Sequence, residues 1–141
     1  MRDLTNNIHP IPAIPPASPV ADNTALVSAV VDTLGFGSLT FIITTGALSD
    51  ADATFTALVE HGDAANLSDA EAVPDALLVG TEALASFTHA DDNETRKIGY
   101  VGGKRYVRLT ITPAGNAADA YVSAVAVLGH PRSAPTANPP A

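Results

Sequence analysis

A chain of 141 residues carries 15 Asp and Glu against 7 Lys and Arg, is 46% hydrophobic and 5% aromatic, and has no cysteine. The length supports one domain with a core of its own. The net charge of −8 argues against general nucleic-acid binding, where cations meet phosphates, and the missing cysteines exclude disulfides and thiolate chemistry.

The chain opens with "MRDLTNNIHPIPAIPPASP", in which Pro10, Pro12, Pro15, Pro16 and Pro19 crowd together. No apolar run of a secretory signal is present there, and no segment reaches the length of a membrane span. Each proline fixes φ and removes a backbone donor, so residues 1–20 are expected to form an extended, polyproline-like arm that adds little to a sheet. Pro131, Pro135, Pro139 and Pro140 mark a second such tail over residues 131–141, which leaves residues 21–130 as the folded domain.

Between the arms the hydrophobic period is two. "TALVSAVVDTLGFGS" is β-rich and ends in a Gly-Phe-Gly turn. "SLTFIITTG" sets Leu39, Phe41 and Ile43 on one face, and "ATFTALVEHG" does the same with Phe55, Ala57 and Val59. Asp69 to Ala85 is ambiguous among loop, short helix and a strand near Leu77 to Val79, with loop and short strand favoured. "KRYVRLTIT" turns Val107, Leu109 and Ile111 inward and Lys104, Tyr106, Arg108 and Thr110 outward. "AYVSAVAVLG" is apolar on both faces, as in a strand covered on both sides or one whose outer face meets a partner. Strands every ten to twenty residues, separated by Gly, Asp and Asn turns, specify an all-β protein, a single antiparallel sandwich or barrel.

No stretch carries a catalytic pattern. "GYVGGKR" is one residue short of a phosphate-binding loop and has Arg105 where Ser or Thr would hold magnesium, so it reads as a β-hairpin with Gly102 and Gly103 at positive φ. His9, His61, His89 and His130 form no close pair and are expected as exposed or capping imidazoles, with no metal site. Asp50 and Asp52 lack the remainder of a calcium loop. There is no nucleophile elbow, and the few aromatics do not suggest a sugar platform. What remains is charge distribution: Arg96, Lys97, Lys104, Arg105 and Arg108 lie between Thr95 and Leu109, whereas Pro10 to Thr95 has no cation. These cations either balance local acids and protect a sheet edge or form a contact patch for an acidic surface, with Tyr106 on the same face.

The run "IGYVGGKRYVRLTITPAG", followed after a short loop by "AYVSAVAVLGHPR", resembles small head decoration, or cement, proteins encoded beside the major capsid protein in tailed bacteriophages and prophages. "SLTFIITTGALSDADATFTALVEHGD" fits the same strand, turn, acidic loop and strand pattern. The likeness spans roughly Thr24 to Arg132 and is strongest from Ile98 onward; the Pro-rich arms depart from it. It implies a jelly-roll-like sandwich, made in the bacterial cytoplasm and bound in many copies to the capsid exterior, with no enzymatic activity and no cofactor. The implied partners are the major capsid protein and neighbouring copies, with a trimer among the expected states; nucleic acid and membrane are not. Candidate contacts are Ile8, Pro10, Ile11, Pro12 and Ile14 of the arm, with Lys104, Arg105, Tyr106 and Arg108. A glycan- or receptor-binding module of a tail or fibre is the alternative, as is a tail-tube or head–tail joining protein.

Overall fold

The computed structural model describes residues 1–140. Its strands are β1 (Ile8–Ile14), β2 (Leu26–Val27), β3 (Val31–Asp32), β4 (Phe36–Leu48), β5 (Thr54–Gly62), β6 (Glu71–Ala72), β7 (Leu78–Val79), β8 (Phe87–Thr88), β9 (Thr95–Tyr100), β10 (Tyr106–Ala114) and β11 (Ala120–Pro131), with one short helix, α1 (Glu82–Ala85). Two antiparallel sheets pack as a sandwich. The front sheet runs β1-β11-β4-β9-β7, and the back sheet is built on the β10–β5 pair, flanked by β2 and β3 on one side and by β6 and β8 on the other. β4 pairs with β11 and β5 pairs with β10, while the chain crosses between sheets from β4 to β5 and again from β10 to β11. This nested pairing is the jelly-roll feature of the fold.

The period-two alternation predicts the core. Leu39, Phe41 and Ile43 of β4, Phe55, Ala57 and Val59 of β5, and Val107, Leu109 and Ile111 of β10 are all buried between the sheets. The inward side of β11 carries mainly small residues, Ala120, Ala124 and Ala126 with Leu128 at its end, and Phe41 of β4 stands beside Ala126 in register, a large side chain next to a small one.

Both edges of the back sheet are closed by side chains where a full strand is missing. Between the β2 and β3 pairings, buried Ser28 accepts a hydrogen bond from Leu109 N at 2.9 Å and donates to Ala29 O at 2.8 Å. Between β6 and β8, Ser86 Oγ accepts from Ala57 N at 3.0 Å and Glu82 Oε1 from Val59 N at 2.8 Å. The helix α1 presents these two acceptors. Its N-cap Thr81 accepts from Leu84 N at 3.1 Å, as capping residues do. The ambiguous 69–85 stretch thus holds both the short strand at Leu78–Val79 and a single helical turn.

Two expectations are corrected. The Pro-rich start does add to a sheet: β1 is an edge strand paired with β11 from Ile8↔Gly129 to Ile14↔Ala124. Pro10 and Pro12 share one phase of the strand, leaving His9 and Ile11 to supply ladder donors while the absent donors face outward, where proline is tolerated. The stretch "GYVGGKR" is not a hairpin either, because β9 lies in the front sheet and β10 in the back one. It is a crossing between sheets, and the positive-φ glycines are Gly35, Gly80 and Gly115, not Gly102 or Gly103.

Candidate functional site

The crossing from β9 to β10 is organised by one buried phenol. Tyr100 points inward at the end of β9, in phase with buried Ile98. Its hydroxyl lies 2.9 Å from His61 Nδ1 of β5, accepts from Lys104 N at 3.0 Å and lies 3.4 Å from Lys104 O. The His61 and Tyr100 rings meet edge to face at 5.6 Å. Burial pushes the phenol pKa above its ordinary value. Gly102 is required here by close approach, since a Cβ at that position would overlap the Tyr100 ring. His61 is therefore a core residue and not an exposed cap; its inward phase with Phe55, Ala57 and Val59 was the available signal.

The cations that drew attention in the sequence are mostly satisfied within the chain. Lys104 Nζ meets Asp63 at 2.6 Å. Arg105 grips Asp32 through two bonds of 2.8 Å and stacks on Tyr106 with its Cζ 5.0 Å from the ring centroid. Arg108 Nε meets Glu60 Oε2 at 2.7 Å on the paired strand, and Arg96 meets Asp91 at 2.8 Å and Glu94 at 3.0 Å. The Arg105 hydrogen bond holds Asp32 below the usual carboxylate range, and the Asp63 hydrogen bond raises Lys104. Tyr106, Arg108 and Arg105 face outward from the back sheet as a neutralised patch, which is the local charge-balancing alternative.

The arm residues divide by phase. Ile14 is buried and so not open to a partner; Ile11 is half-buried with part of its side chain against the core, Ile8 and Pro10 are half-buried, and Pro12 is exposed. The C-terminal tail lies on this strand: Thr136 N donates to Asn6 O at 3.0 Å, and Thr136 Oγ1 donates to Ile8 O at 2.6 Å. Asp50 accepts from Asp52 N at 2.9 Å and from Ala117 N at 2.7 Å, a turn acid, and no cluster of metal-ligating side chains occurs among the described residues.

The surface left unsatisfied is the outer face of the front sheet. Two hollows of about 510 and 650 Å³ lie there and share Ser38 and Thr40 of β4. Gly99 opposes Thr40 on one side and Gly129 opposes Ser38 on the other, so the floor is low at its centre. Val79, Leu84 and Val101 stand at one end, 60%, 71% and 58% exposed, and Val125 of β11 is 41% exposed nearby. Lys97 lines the first hollow and Arg2 the second, and neither has a carboxylate partner among the described residues. The outer side of β11 is open at Tyr121 and Val125, so β11 is not a strand that this chain covers on both sides.

No family model and no curated protein matches the sequence. In solved structures the chain is similar in fold to the PBSX exported protein XepA, with a TM-score of 0.52 at 15% identity over 92% of this chain. The chain spans 39% of the XepA chain's length. It is also similar to the SPBc2 prophage-derived protein YomS, with a TM-score of 0.49 at 13% identity over 86% of this chain and 92% of that one. The xylan-binding module CBM15 gives a TM-score of 0.44 at 11% identity, covering 94% of this chain and 96% of that one. No helix among the described residues is long and apolar enough to cross a membrane.

Proposed function

We propose that this chain is a structural virion protein that decorates an icosahedral phage capsid, binding the outer surface of the shell formed by the major capsid protein and acting by adhesion without bond chemistry. The observation that carries the reading is the outer face of the front sheet, where exposed aliphatic side chains flank a hydroxyl-lined floor with unpaired cations at its borders. A surface of that kind gains by being covered, since apolar burial contributes about 25 cal/mol per Å² before association costs. The resemblance of the β9–β11 region to capsid cement proteins supports the phage assignment, and the likeness to XepA supports the sandwich fold alone. Many copies of a modest footprint stabilise a shell because each must be released before the seam beneath it opens. The glycan-binding alternative gains less from this face, because Tyr100, the aromatic ring that lines the first hollow, is buried and bonded to His61 and Lys104.

The test is co-sedimentation with purified shells of a tailed-phage major capsid protein. Uptake in fixed stoichiometry, with a higher temperature of shell disruption, is the expected result. Failure to co-sediment with shells, or a ring assembled in solution that joins tail components, overturns the capsid assignment.

A further inference from the structure

We infer that the two hollows form one trough for an extended, acidic polypeptide segment, laid obliquely across β9, β4, β11 and β1 with carboxylates near Lys97 and Arg2. The inference rests on the adhesive reading above and specifies the partner's chemistry.

Charge placement is the first argument. Of 7 Lys and Arg, Arg96, Lys104, Arg105 and Arg108 are paired with carboxylates of this chain. The others are Arg2, Lys97 and Arg132. Arg2 and Lys97 line the trough, and Arg132 follows Pro131, which lines it too. In a chain with 15 acids, the cations left over collect on one face. The acid at that border, Asp3, keeps its charge but is held by Asn6 through bonds of 3.2 and 2.6 Å and makes no ion pair with Arg2. An acidic ligand here finds two cations that have no carboxylate partner among the described residues, so no ion pair among them is displaced.

Shape and lining narrow the class to polypeptide. The floor offers the hydroxyls of Ser38 and Thr40, with Ser38 Oγ 2.9 Å from His130 Nδ1. Such groups suit backbone amides and short polar side chains, and Val79, Leu84, Val101 and Val127 offer contacts to aliphatic side chains. An acidic glycan would also meet the cations, but neither hollow is lined by an open phenyl or phenol ring for it to stack on; the exposed Tyr121 lies further along β11.

The span sets a length. Lys97 shares a cross-strand row with Ile42, Val125 and Pro12, so β9 and β1 are three strand spacings apart, or about 15 Å. Arg2 borders the hollow beside Ile8, four residues back along β1 from Pro12, or about 13 Å. The diagonal is about 20 Å, which a seven-residue extended segment covers.

The experiment uses the full chain, isotopically labelled, and a seven-residue peptide with Glu at both ends and alternating Thr and Val between. Its Gln-ended twin and polygalacturonate serve as comparisons. Amide shifts are expected to concentrate at Ser38, Thr40, Lys97 and Val127. Affinity should drop at least five-fold for the Gln-ended twin and for the Lys97→Glu, Arg2→Glu double variant, while a Lys-ended peptide should bind that variant better than it binds the wild type. Equal binding of the Glu- and Gln-ended peptides, shifts centred elsewhere, or tighter binding of polygalacturonate at the same amides overturns the inference. The two readings fail separately. Wild type and double variant binding shells equally while the peptide does not bind sinks the trough and leaves decoration standing. Peptide binding without shell binding does the reverse.

Discussion

Replacing Tyr100 by Phe removes one oxygen from the centre of the sheet crossing. That oxygen is the acceptor for Lys104 N and the partner of His61 Nδ1, and both sit where water is largely excluded. Leaving a buried polar group unpaired costs about 1–3 kcal/mol. Lys104 N borders the surface and lies at the low end of that range; His61, 4% exposed, lies higher. The sum is about 2–3 kcal/mol, which in a domain of this size lowers Tm by about 6–10 °C. Thermal and urea unfolding followed by circular dichroism should show that loss with an unchanged urea m-value. Combining Tyr100→Phe with His61→Leu should cost less than the sum of the single changes, because the second removes a group the first has orphaned. The phenol also predicts an alkaline signature. Burial raises its folded pKa above 10.0, so the unfolded chain ionises first and stability drains away as pH climbs past that value. Tyr100→Phe should lack that component of the alkaline loss. A Tyr100→Phe protein that melts within 2 °C of the wild type would refute the account of the crossing.

Three further outcomes follow from the same contacts. Ser28→Ala orphans Leu109 N in the middle of β10 and should cost about 1–3 kcal/mol by urea unfolding, whereas Ser28→Thr, which keeps the hydroxyl, should cost less. Deleting residues 1–19 removes β1 together with buried Ala13 and Ile14, so the product should lose the cooperative melt of the full chain; a truncated protein with an unchanged melt would show that β1 is only an appendage. Acid should destabilise the fold. Asp91 is held below its ordinary 3.8 chiefly by the Thr88 amide and then by Arg96, and Asp32 chiefly by its hydrogen bond to Arg105. Both values are depressed, so the unfolded chain takes up protons first: the contribution is complete above about pH 5 and disappears as pH falls through 3.8 and below. Urea midpoints at pH 6 and pH 3 check this, and a midpoint that rises at pH 3 contradicts it.

The strands that were legible in the sequence are those whose two faces meet different surroundings. β4, β5 and β10 each bury one face and wet the other, so their inward residues could be named without coordinates. The short pieces were legible only in part: the β-rich run that holds β2 and β3 and the short strand near Leu77 to Val79 could be read, but not their bounds or pairings. β2, β3, β6, β7 and β8 are two residues long, and no period can be read from two residues. β2, β3, β6 and β8 exist because β5 and β10 present open edges that must be satisfied, and Ser28, Ser86 and Glu82 complete what they leave, whereas β7 extends the front sheet beyond β9. The prolines misled for a related reason. Proline density gives the number of lost donors but not their phase, and it is the shared phase of Pro10 and Pro12 that lets the arm join the sheet.

The same distinction governs the candidate site. Clustering of Lys104, Arg105 and Arg108 along the chain suggested a patch, yet each has an acid from far away in sequence, Asp63, Asp32 or Glu60, brought beside it by the fold. Sequence proximity counts the cations and says nothing of the acids opposite. Solvent-screened ion pairs of this kind contribute little to stability, but they also cancel the field that a partner would feel. Lys97 and Arg2 lie 95 residues apart by number, and nothing in the chain order links them. Their association arises from the β1–β11–β4–β9 order, which puts the start of the chain and the third-last long strand on one face. Charge is available to a partner only where the fold leaves it uncompensated, and among the described residues that includes Lys97, from within the cation-rich segment, and Arg2, from the far end of the chain, both on the front sheet.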